Sequence, residues 1–479
     1  KTAYEIRLSL VGSEMCIRDR PRGLGLPPRG AAAAAHHQGR TTVSAPDLLT
    51  GLLERGLIAQ TTDADALRRD LAAGPVTLYC GFDPTAPSLH MGNLVQLLML
   101  RRFQLAGHRP LGLIGGATGL IGDPRMSAER ALNPREVVAE WVERIQRQVA
   151  PLLDFEGSNG AILVNNLDWL GAMPALDLLR DIGKHFRVNR MIAKEAVSAR
   201  LASEHGISYT EFSYQILQAT DYLELYRRHG CRLQTGGSDQ WGNLTAGTDL
   251  IHRVEQVSVH ALSTPLITKT DGTKYGKTES GAVWLDPERT SPYAFYQWFL
   301  NTDDRDVATL LRVFTFAGAE ELAELDEQLR ESPQRRASQQ RLASEITRLV
   351  HGESALSAVR AASAALFGGG DLADLDRTTL RDATRELPQA TVAPGTSVVD
   401  ALVATGLASS RTTARRFVDD GAVHLNNVRV SDATAALDGA AFLHGEVAVL
   451  RRGRRNLAAG VLAWPNGAKP VVADTIAGP

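Results

Sequence analysis

The stretch that decides the fold runs from Tyr79 to Asn93 and reads YCGFDPTAPSLHMGN. It overlaps a short run of apolar and β-branched residues, Val76–Cys80, which predicts a buried strand. It leads into NLVQLLMLRRFQLAG, whose apolar residues recur at helical spacing. A His-Met-Gly-Asn turn therefore joins a strand to the N-terminus of a helix, a position that favours bound anions.

Three features of this turn suit a phosphate group. His90 and Asn93 can each donate a hydrogen bond to it. Gly92 lets a ligand approach the backbone closely, and Thr85 offers a hydroxyl from the preceding turn. Taken alone, the same residues also fit an ordinary helix start with a solvent-facing histidine. The preceding strand and a second, lysine-bearing loop favour the phosphate interpretation.

That second loop is KTDGTKYGKTESG, Lys269–Gly281. Its glycines predict flexibility, and Lys274 and Lys277 are charges that can be brought to a pyrophosphate leaving group. The alternative is a solvated turn, which is what most charged loops are.

Strands and helices alternate through the first half of the chain. Further strands are predicted at Pro110–Gly116, Ala161–Asn166 and Cys231–Gln240, with helices between them. This alternation predicts an α/β fold with a doubly wound parallel sheet of Rossmann type. Ligands bind such sheets beyond the carboxyl ends of the strands. We expect the following residues to lie at strand ends and to converge on one crevice: Tyr79, Gly115, Gly116, Asn166, Gly236 and Gly237.

A polar helix face is predicted to border the same crevice. Tyr214, Gln218 and Asp221 stand at i, i+4 and i+7, which places them on one side of a helix. A buried, internally satisfied network is the alternative. With Tyr79 and Gln240 opposite, an aromatic hydroxyl, an amide and a carboxylate suit a small zwitterion that carries a phenol.

Composition limits the classes of protein that fit. The chain has 479 residues and a formal net charge of −2, so more than one domain is expected and no global basic field is present. Its three cysteines suit neither a disulfide framework nor a zinc site, which favours a reducing cytoplasm. No apolar run approaches the roughly 20 residues that cross a bilayer.

The chain divides by composition into successive segments. Residues 1–42 are rich in Pro, Gly and Ala and predict a disordered or non-native extension. After about Ser291 the strand patterns give way to helical ones, and a small basic unit follows a Pro/Gly/Ser linker. The expected segments are a catalytic domain (43–267), a lysine loop and linker (268–291), a helical domain (292–385), a linker (386–397), a basic α+β domain (398–462) and a disordered tail (463–479).

Six strings, in this order, resemble the bacterial tyrosyl-tRNA synthetases: YCGFDPTAPSLHMGN, GGATGLIGDP, VNNLDWLG, ISYTEFSYQILQATD, LQTGGSDQWGN and DGTKYGKTESG. The resemblance runs from about Ala45 into the C-terminal unit. It implies a class I fold whose two signatures are HMGN and KYGKT. It also implies a helical anticodon-side domain and a C-terminal module similar to that of a ribosomal RNA-binding protein.

The resemblance also assigns roles to individual residues. Tyr79 and Asp221 would bind the phenolic hydroxyl of tyrosine, Asp123, Tyr214 and Gln218 its ammonium group, and Gln240 its carboxylate, with Asn166 and Trp169 supporting the pocket. The ATP-binding set is Cys80, Gly81, Asp83, Thr85, His90, Gly92, Asn93, Gly237, Asp239 and Lys277. The catalytic set is Thr85, His90, Asn93, Lys274, Lys277 and Thr278. The RNA-binding set is Arg411, Arg415, Arg416, Arg451, Arg452, Arg454 and Arg455.

The implied reaction has two steps. Tyrosine attacks the α-phosphate of ATP to give tyrosyl-adenylate and pyrophosphate, and the tyrosyl group then passes to the 3′-terminal adenosine of tRNA(Tyr). Mg²⁺ would accompany ATP, without a protein metal site or a tightly bound cofactor. The partners implied are L-tyrosine, ATP, tRNA(Tyr) and a second copy of the chain, with no membrane.

Two alternatives stay open from the sequence. One is an RNA-binding protein that keeps the synthetase fold without catalysis. The other is the related tryptophanyl enzyme, against which the Tyr79–Asp221 pair and the C-terminal module argue. Three departures from the family pattern stand out. Asparagine at position 93 replaces a histidine, and Thr278 replaces the serine of the family's KMSKS signature. RMSAER follows Pro124, where Arg125 or Arg130 would supply the charge of a family lysine.

Overall fold

The computed structural model describes residues 48–124, 132–204, 206–270, 272–273, 275–278, 281–367, 369–453 and 456–463, and of residues 195, 196, 277, 278 and 281 the backbone alone. The predicted N-terminal extension and nearly all of the predicted tail lie outside these ranges.

The first sheet contains six described strands in the order β1-β6-β5-β2-β3-β4. All neighbours are parallel except β1 and β6. The chain runs from β2 outward to β4 and then returns to place β5 on the other side of β2, so the carboxyl ends of β2 and β5 flank the switch point. The bounds are β1 Gln60–Thr61, β2 Thr77–Phe82, β3 Arg109–Ile114, β4 Ile162–Asn165, β5 Cys231–Gly237 and β6 His260–Thr264.

Ten α-helices connect or cover these strands in the described part of this region. They are α1 Leu48–Glu54, α2 Ala64–Ala73, α3 Met91–Leu105, α4 Arg135–Val149, α5 Leu167–Leu170, α6 Ala175–Asp177, α7 Val188–Ile192, α8 Glu195–Leu201, α9 Tyr209–His229 and α10 Trp241–Glu255. The predicted α/β class is therefore confirmed.

Two local predictions were wrong. Strand β2 continues to Phe82, so Tyr79 lies in mid-strand, paired with Leu111 on β3 and Gln234 on β5, rather than at the strand end. The strand predicted from the sequence ends at Cys80, but Gly81 and Phe82 continue it, because their backbones pair with Leu113 and Ile114 on β3. Helix α4 starts at Arg135 with Pro134 at the N-cap and no side-chain cap, instead of Asn133 capping a helix that begins at Pro134.

Helix α3 joins the sheet to the helical region. It is buried along most of its length because it packs between β2, β3 and the region that follows residue 291. Near its C-terminal end, Arg102 donates from Nη2 to the carbonyls of Val313 (2.9 Å) and Thr315 (2.8 Å). These carbonyls lie at the C-terminal end of a helix, where a cation is favourable.

A short hairpin and a helical region follow the sheet. Strands β7 Lys277–Thr278 and β8 Gly281–Ala282 pair antiparallel. The regular structure described between residues 292 and 385 is helical apart from short turns, as predicted. Its helices are α11 Pro292–Leu300, α12 Asp304–Phe314, α13 Ala319–Glu331, α14 Ala337–Leu366 and α15 Arg377–Arg385.

The C-terminal unit is a five-stranded sheet with two helices, in the order β11-β10-β12-β13-β9. The predicted helix pair and strand pair are present, but the unit has more strands than expected. The stretch predicted as a linker, 386–397, contains a strand between Pro388 and Pro394 that pairs parallel with the last strand, so it belongs to this sheet. The bounds are β9 Gln389–Val392, α16 Val398–Ala404, α17 Arg411–Asp419, β10 Val423–Leu425, β11 Val428–Arg429, β12 Val447–Arg452 and β13 Asn456–Leu462.

Candidate active site

Tyr79 supplies an unsatisfied hydroxyl inside the sheet. Its side chain is 1% exposed, and its ring packs against Tyr222 with centroids 5.2 Å apart. The phenolic oxygen has no hydrogen-bond partner among the described residues. Burial, with the nearby Asp221 carboxyl, raises the pKa of Tyr79 well above its usual range, so the group keeps its proton. A buried hydroxyl without a partner is costly unless a ligand completes it.

Asp221 is a buried carboxyl held from both sides. Trp169 donates from Nε1 to Oδ1 at 2.8 Å, and Asn166 donates from Nδ2 to Oδ2 at 3.0 Å. Burial nevertheless raises the pKa of Asp221 to about 8, against the lowering effect of these two donors. Both oxygens are fixed in position and keep lone pairs for a further donor.

Helix α9 brings Tyr214, Gln218 and Asp221 to the crevice, as the spacing predicts. Ser208 caps the helix by accepting from the backbone N–H of Glu211 (3.3 Å). The amide oxygen of Gln218 is buried and lacks a partner in the described structure. The predicted face is thus present, and it contains a second unsatisfied polar atom.

Tyr214 is tied to the turn that follows β2. Its hydroxyl donates to Asp83 Oδ2 at 2.7 Å. Burial and then Asp83 raise the pKa of Tyr214 well above the ordinary value. Because the hydroxyl proton is directed to Asp83, the Tyr214 oxygen presents its lone pairs to the crevice. The resemblance groups Asp83 with the ATP-binding residues, and its described contacts include Tyr214 of the tyrosine group and Thr118.

Asp123 is the centre of a second polar cluster. It accepts from Gln240 Nε2 (2.8 Å) and from Asn243 Nδ2 (3.3 Å), and Asn243 also donates to Gln240 Oε1 (2.7 Å). Lys194 donates to Asn243 Oδ1. Burial lowers the pKa of Lys194 to about 8, and the Asp123 charge opposes the shift. Asn243 and Lys194 were not foreseen, although Asn243 stands in the quoted string LQTGGSDQWGN.

His90 and Asn93 form a reciprocal cap at the start of α3. His90 Nδ1 accepts from the backbone N–H of Gly92 (3.0 Å), and Asn93 Oδ1 accepts from the backbone N–H of His90 (3.1 Å). A neutral imidazole that accepts at Nδ1 has its proton on Nε2. The cap thus uses the acceptor atoms of both side chains, and their donors, His90 Nε2–H and Asn93 Nδ2–H, suit phosphate oxygens. Thr85 is exposed on the turn before them.

The lysine loop contacts this cap through Gly276. A Cβ placed on Gly276 would lie 2.7 Å from Met91 Cβ, so there is no room for a side chain here. The φ angle of Gly276 is +84°, which also favours glycine. Tyr275 anchors the loop among three aromatic side chains of the helical region, and its hydroxyl lies 3.2 Å from Thr302 Oγ1. The two signature segments are thus adjacent. Lys274 lies outside the described residues, and the side chains of Lys277 and Thr278 are not described.

The remaining residues predicted for ATP lie on β2 and after β5. Cys80 and Gly81 are within β2, and the Cys80 thiol is 3% exposed. Burial raises the pKa of Cys80 to about 12, so the thiol is unreactive. Gly237 ends β5, and a Cβ there would lie 2.5 Å from the Oδ1 atom of the exposed Asp239.

The predicted RNA-binding arginines fall into two groups. Arg415 and Arg416 are exposed on α17. Arg411 forms an ion pair with Asp400, with an N–O distance of 2.5 Å. Arg452 donates to the Leu407 carbonyl (2.7 Å), and its guanidinium lies 4.9 Å from the centroid of the Phe417 ring. Arg451 donates to the Gly453 carbonyl, and Arg454 and Arg455 lie outside the described residues. Arg452 therefore contributes to packing within the unit.

Two features are absent from the described ranges. No helix in them is both long and apolar enough to cross a membrane. No group of three or more His, Cys, Asp or Glu side chains in them is arranged to hold a metal ion.

Two families match consecutive parts of the chain. Residues 71–368 match the tRNA synthetases class I (W and Y). Residues 379–459 match the tyrosine–tRNA ligase SYY-like C-terminal domain.

Individual relatives match over most of their length. The tyrosine–tRNA ligase of Streptomyces avermitilis is 63% identical over 414 residues, which cover 86% of this chain and 98% of that protein. The corresponding ligase of Streptomyces griseus is 62% identical with the same coverage. The crystal structure of a C-terminally truncated mitochondrial tyrosyl-tRNA synthetase from Aspergillus nidulans has a TM-score of 0.60 and 30% identity, covering 65% of this chain and 92% of that one.

Proposed function

This chain belongs to the tyrosine–tRNA ligase family of class I synthetases, and from this premise we propose which of its residues bind each substrate and carry the reaction. The enzyme joins L-tyrosine to tRNA(Tyr) at the expense of ATP, through tyrosyl-adenylate. One observation carries the assignment of the amino-acid pocket: the buried Tyr79 hydroxyl has no partner among the described residues and lies near the carboxyl of Asp221.

The phenol of tyrosine binds between Tyr79 and Asp221. The substrate hydroxyl donates to Asp221, whose two oxygens are fixed by Trp169 and Asn166. The same hydroxyl accepts from Tyr79. Phenylalanine would leave both groups buried without a partner, which disfavours it; rejection of this kind is already known for this enzyme family.

The ammonium group binds at the other end of the pocket. Tyr214 accepts from it, because the Tyr214 proton is already directed to Asp83. The buried oxygen of Gln218 is a second acceptor, and the Asp123 carboxylate supplies the opposite charge. Gln240, held by Asp123, lies toward the substrate carboxylate.

ATP binds with its phosphates on the α3 N-terminus. His90 Nε2–H and Asn93 Nδ2–H donate to them, and Thr85 adds its hydroxyl. Lys274 and Lys277, on the loop that packs against Met91, neutralise the leaving pyrophosphate, and Thr278 follows them. Gly237, Asp239, Cys80 and Gly81 are assigned to the ribose. Mg²⁺ enters with ATP, since phosphate oxygens are among the ligands it prefers.

Activation then needs positioning and charge stabilisation rather than a protein nucleophile. The tyrosine carboxylate attacks the α-phosphate in line, and the P–O bond to pyrophosphate breaks. In the second step a terminal ribose hydroxyl of tRNA attacks the activated carbonyl, and AMP leaves.

The helical region and the C-terminal unit are proposed to bind tRNA. We assign residues 292–385 to the anticodon side and residues 398–462 to phosphate contacts, with exposed Arg415 and Arg416 as the leading contacts. Binding through phosphates should weaken steeply as the salt concentration rises.

A homodimer is also proposed. Large apolar side chains are exposed between residues 176 and 209, among them Leu176 at 78%, Val188 at 59% and Tyr209 at 68%. We place the enzyme in the cytoplasm, with its tRNA.

Pyrophosphate–ATP exchange tests the pocket directly. The wild-type enzyme should exchange with tyrosine and not with tryptophan or phenylalanine. Tyr79→Phe and Asp221→Asn should each raise KM for tyrosine while KM for ATP stays within about twofold. Equal loss for ATP and tyrosine in both variants would contradict the assignment.

A further inference from the structure

A continuous hydrogen-bonded chain joins the two ends of the tyrosine pocket, and its middle member is Thr118. Thr118 is 2% exposed and lies just after β3. Its hydroxyl donates to Asp83 Oδ1 at 2.6 Å and accepts from Asn166 Nδ2 at 2.9 Å. Asp83 binds Tyr214, and Asn166 binds Asp221. No role of Thr118 follows from the sequence motifs.

The protons in this chain have one consistent arrangement. Asn166 Oδ1 accepts from the backbone N–H of Ala117 at 2.7 Å, which fixes the orientation of the amide. Its Nδ2 hydrogens must therefore point to Asp221 and to Thr118. Thr118 then accepts from Asn166, so its single proton goes to Asp83.

The same arrangement determines which groups donate and which accept hydrogen bonds at both ends of the pocket. Asp83 receives two hydroxyl donors and acts as an acceptor, so the Tyr214 oxygen is left to accept from an ammonium group. At the opposite end, Asn166 is left to donate to Asp221. If the Thr118 hydroxyl pointed its hydrogen toward Asn166 instead, that hydrogen would face an Nδ2 hydrogen of Asn166, and two donors would oppose each other.

We propose that Thr118 is a positioning residue that couples recognition of the tyrosine ammonium group to recognition of its phenol. This inference rests on the proposed function of Tyr214 and Asp221. Hydrogen-bonded chains in a low-dielectric interior polarise one another, so a group in the middle acts on both ends.

Gly115 is the local feature that permits this contact. A Cβ at Gly115 would lie 2.0 Å from Asp83 Oδ1 and 2.4 Å from Thr118 Oγ1. The glycine backbone thus passes directly beside the Asp83–Thr118 hydrogen bond, at the end of β3.

The first experiment removes the hydroxyl and keeps the shape. Thr118→Val should raise KM for tyrosine about tenfold, because a hydrogen bond to a charged acceptor is lost. It should lower the tyrosine-over-phenylalanine ratio of kcat/KM and leave KM for ATP within about twofold. Thr118→Ser should restore the ratio. Thr384→Val is the matched control, since that buried hydroxyl bonds the carbonyls of its own helix. Thr118→Ala replaces the valine variant if that does not fold.

The second experiment measures the coupling itself. Tyrosine dissociation constants are measured for Tyr214→Phe, Asp221→Asn and the double variant, first with the wild-type threonine at position 118 and then in the Thr118→Val background. In the threonine background the two effects should be non-additive by about threefold or more, as expected for members of one network. In the Thr118→Val background they should become additive.

The outcomes separate this inference from the proposed function. If neither Tyr214→Phe nor Asp221→Asn weakens tyrosine binding, the proposed pocket is wrong. If both weaken it but their effects are additive in both backgrounds, or equally non-additive in both, the pocket stands and the role of Thr118 is overturned.

Discussion

The Tyr214 hydroxyl donates to Asp83 Oδ2 at 2.7 Å, across 131 positions of sequence. This contact links helix α9 to the turn after β2, and so links the amino-acid pocket to the segment that leads to the phosphate signature. It also determines what Tyr214 offers to a substrate, because an oxygen whose proton is engaged acts as an acceptor.

Tyr214→Phe is therefore expected to impair tyrosine binding selectively. The variant removes the acceptor for the ammonium group and one donor to Asp83, so KM for tyrosine should rise by roughly 10- to 100-fold. Pyrophosphate exchange at varied tyrosine and ATP measures this. Tyr293→Phe, at another buried tyrosine on α11, is the control and should leave both KM values unchanged. A larger change in KM for ATP than for tyrosine would contradict the role of Tyr214.

Asp83 shows how far the sequence predicts the site. Helical spacing predicts that Tyr214, Gln218 and Asp221 lie on one face of a helix, and the structure contains this face on α9. The attachment of Asp83 to Tyr214 does not follow from any local pattern, because it depends on how α9 crosses the end of β2. Thr118 was missed for the same reason, although it stands inside a quoted motif.

The fold shows the same division between local and long-range information. Strand and helix periodicity predicts the α/β class. The strand Gln389–Val392 resembles a linker in sequence because prolines flank it, and its paired residues on β13 lie 70 positions later. The mid-strand position of Tyr79 does not follow from the apolar run Val76–Cys80, because Gly81 and Phe82 are held in β2 by backbone pairing with β3.

Asp221 should make stability depend on pH. Its pKa is raised to about 8 by burial, against 3.8 for the unfolded chain, so the folded protein retains a proton that the unfolded chain releases. Its contribution is thus favourable at low pH and is lost as pH rises from about 4 through 8. Urea unfolding of wild type and Asp221→Asn between pH 5 and 8.5 should show wild type losing stability relative to the variant. A difference that is constant with pH would count against a buried, raised-pKa carboxyl.

Tyrosine binding should depend on the same ionisation in the opposite sense. The phenol donates to Asp221, and the ionised carboxylate is the better acceptor. The affinity for tyrosine is therefore expected to increase as pH rises toward 8. Equilibrium dialysis from pH 6 to 8.5 measures it, and Asp221→Asn, which cannot ionise, should show a flatter profile. An affinity that falls over this range in wild type would overturn the assignment of donor and acceptor.

Gly115→Ala should disrupt the Asp83–Thr118 contact without adding any polar group. The new methyl would overlap Asp83 Oδ1 and Thr118 Oγ1, so a loss of about 1–3 kcal/mol in the free energy of unfolding is expected, with weaker tyrosine binding. Gly51→Ala in α1 is the control, since nothing lies within 4 Å of its added Cβ and alanine favours a helix. Unfolding and exchange assays on both variants test this, and equal behaviour of the two would count against the overlap.

The two kinds of arginine in the C-terminal unit should behave differently. Arg415→Ala should weaken tRNA binding and reduce its salt dependence, because one phosphate contact is lost, with pyrophosphate exchange unchanged. Arg452→Ala should instead destabilise the unit, because Arg452 packs on Phe417 and bonds Leu407. Filter binding at several salt concentrations and thermal unfolding separate these effects. An Arg415→Ala variant with the wild-type salt slope would remove Arg415 from the phosphate contacts.

His90 combines two roles that one pair of variants can separate. Its Nδ1 caps α3, whereas Nε2–H is the group proposed to reach phosphate. Serine is a good N-cap residue but lacks the second donor, so His90→Ser should keep stability and lower kcat for activation by about 100-fold. His90→Ala should lose the cap as well, at a cost of about 1 kcal/mol in the free energy of unfolding. If His90→Ser retains wild-type kcat, capping is the whole function of His90, and phosphate binding must rest on Asn93 and the lysine loop.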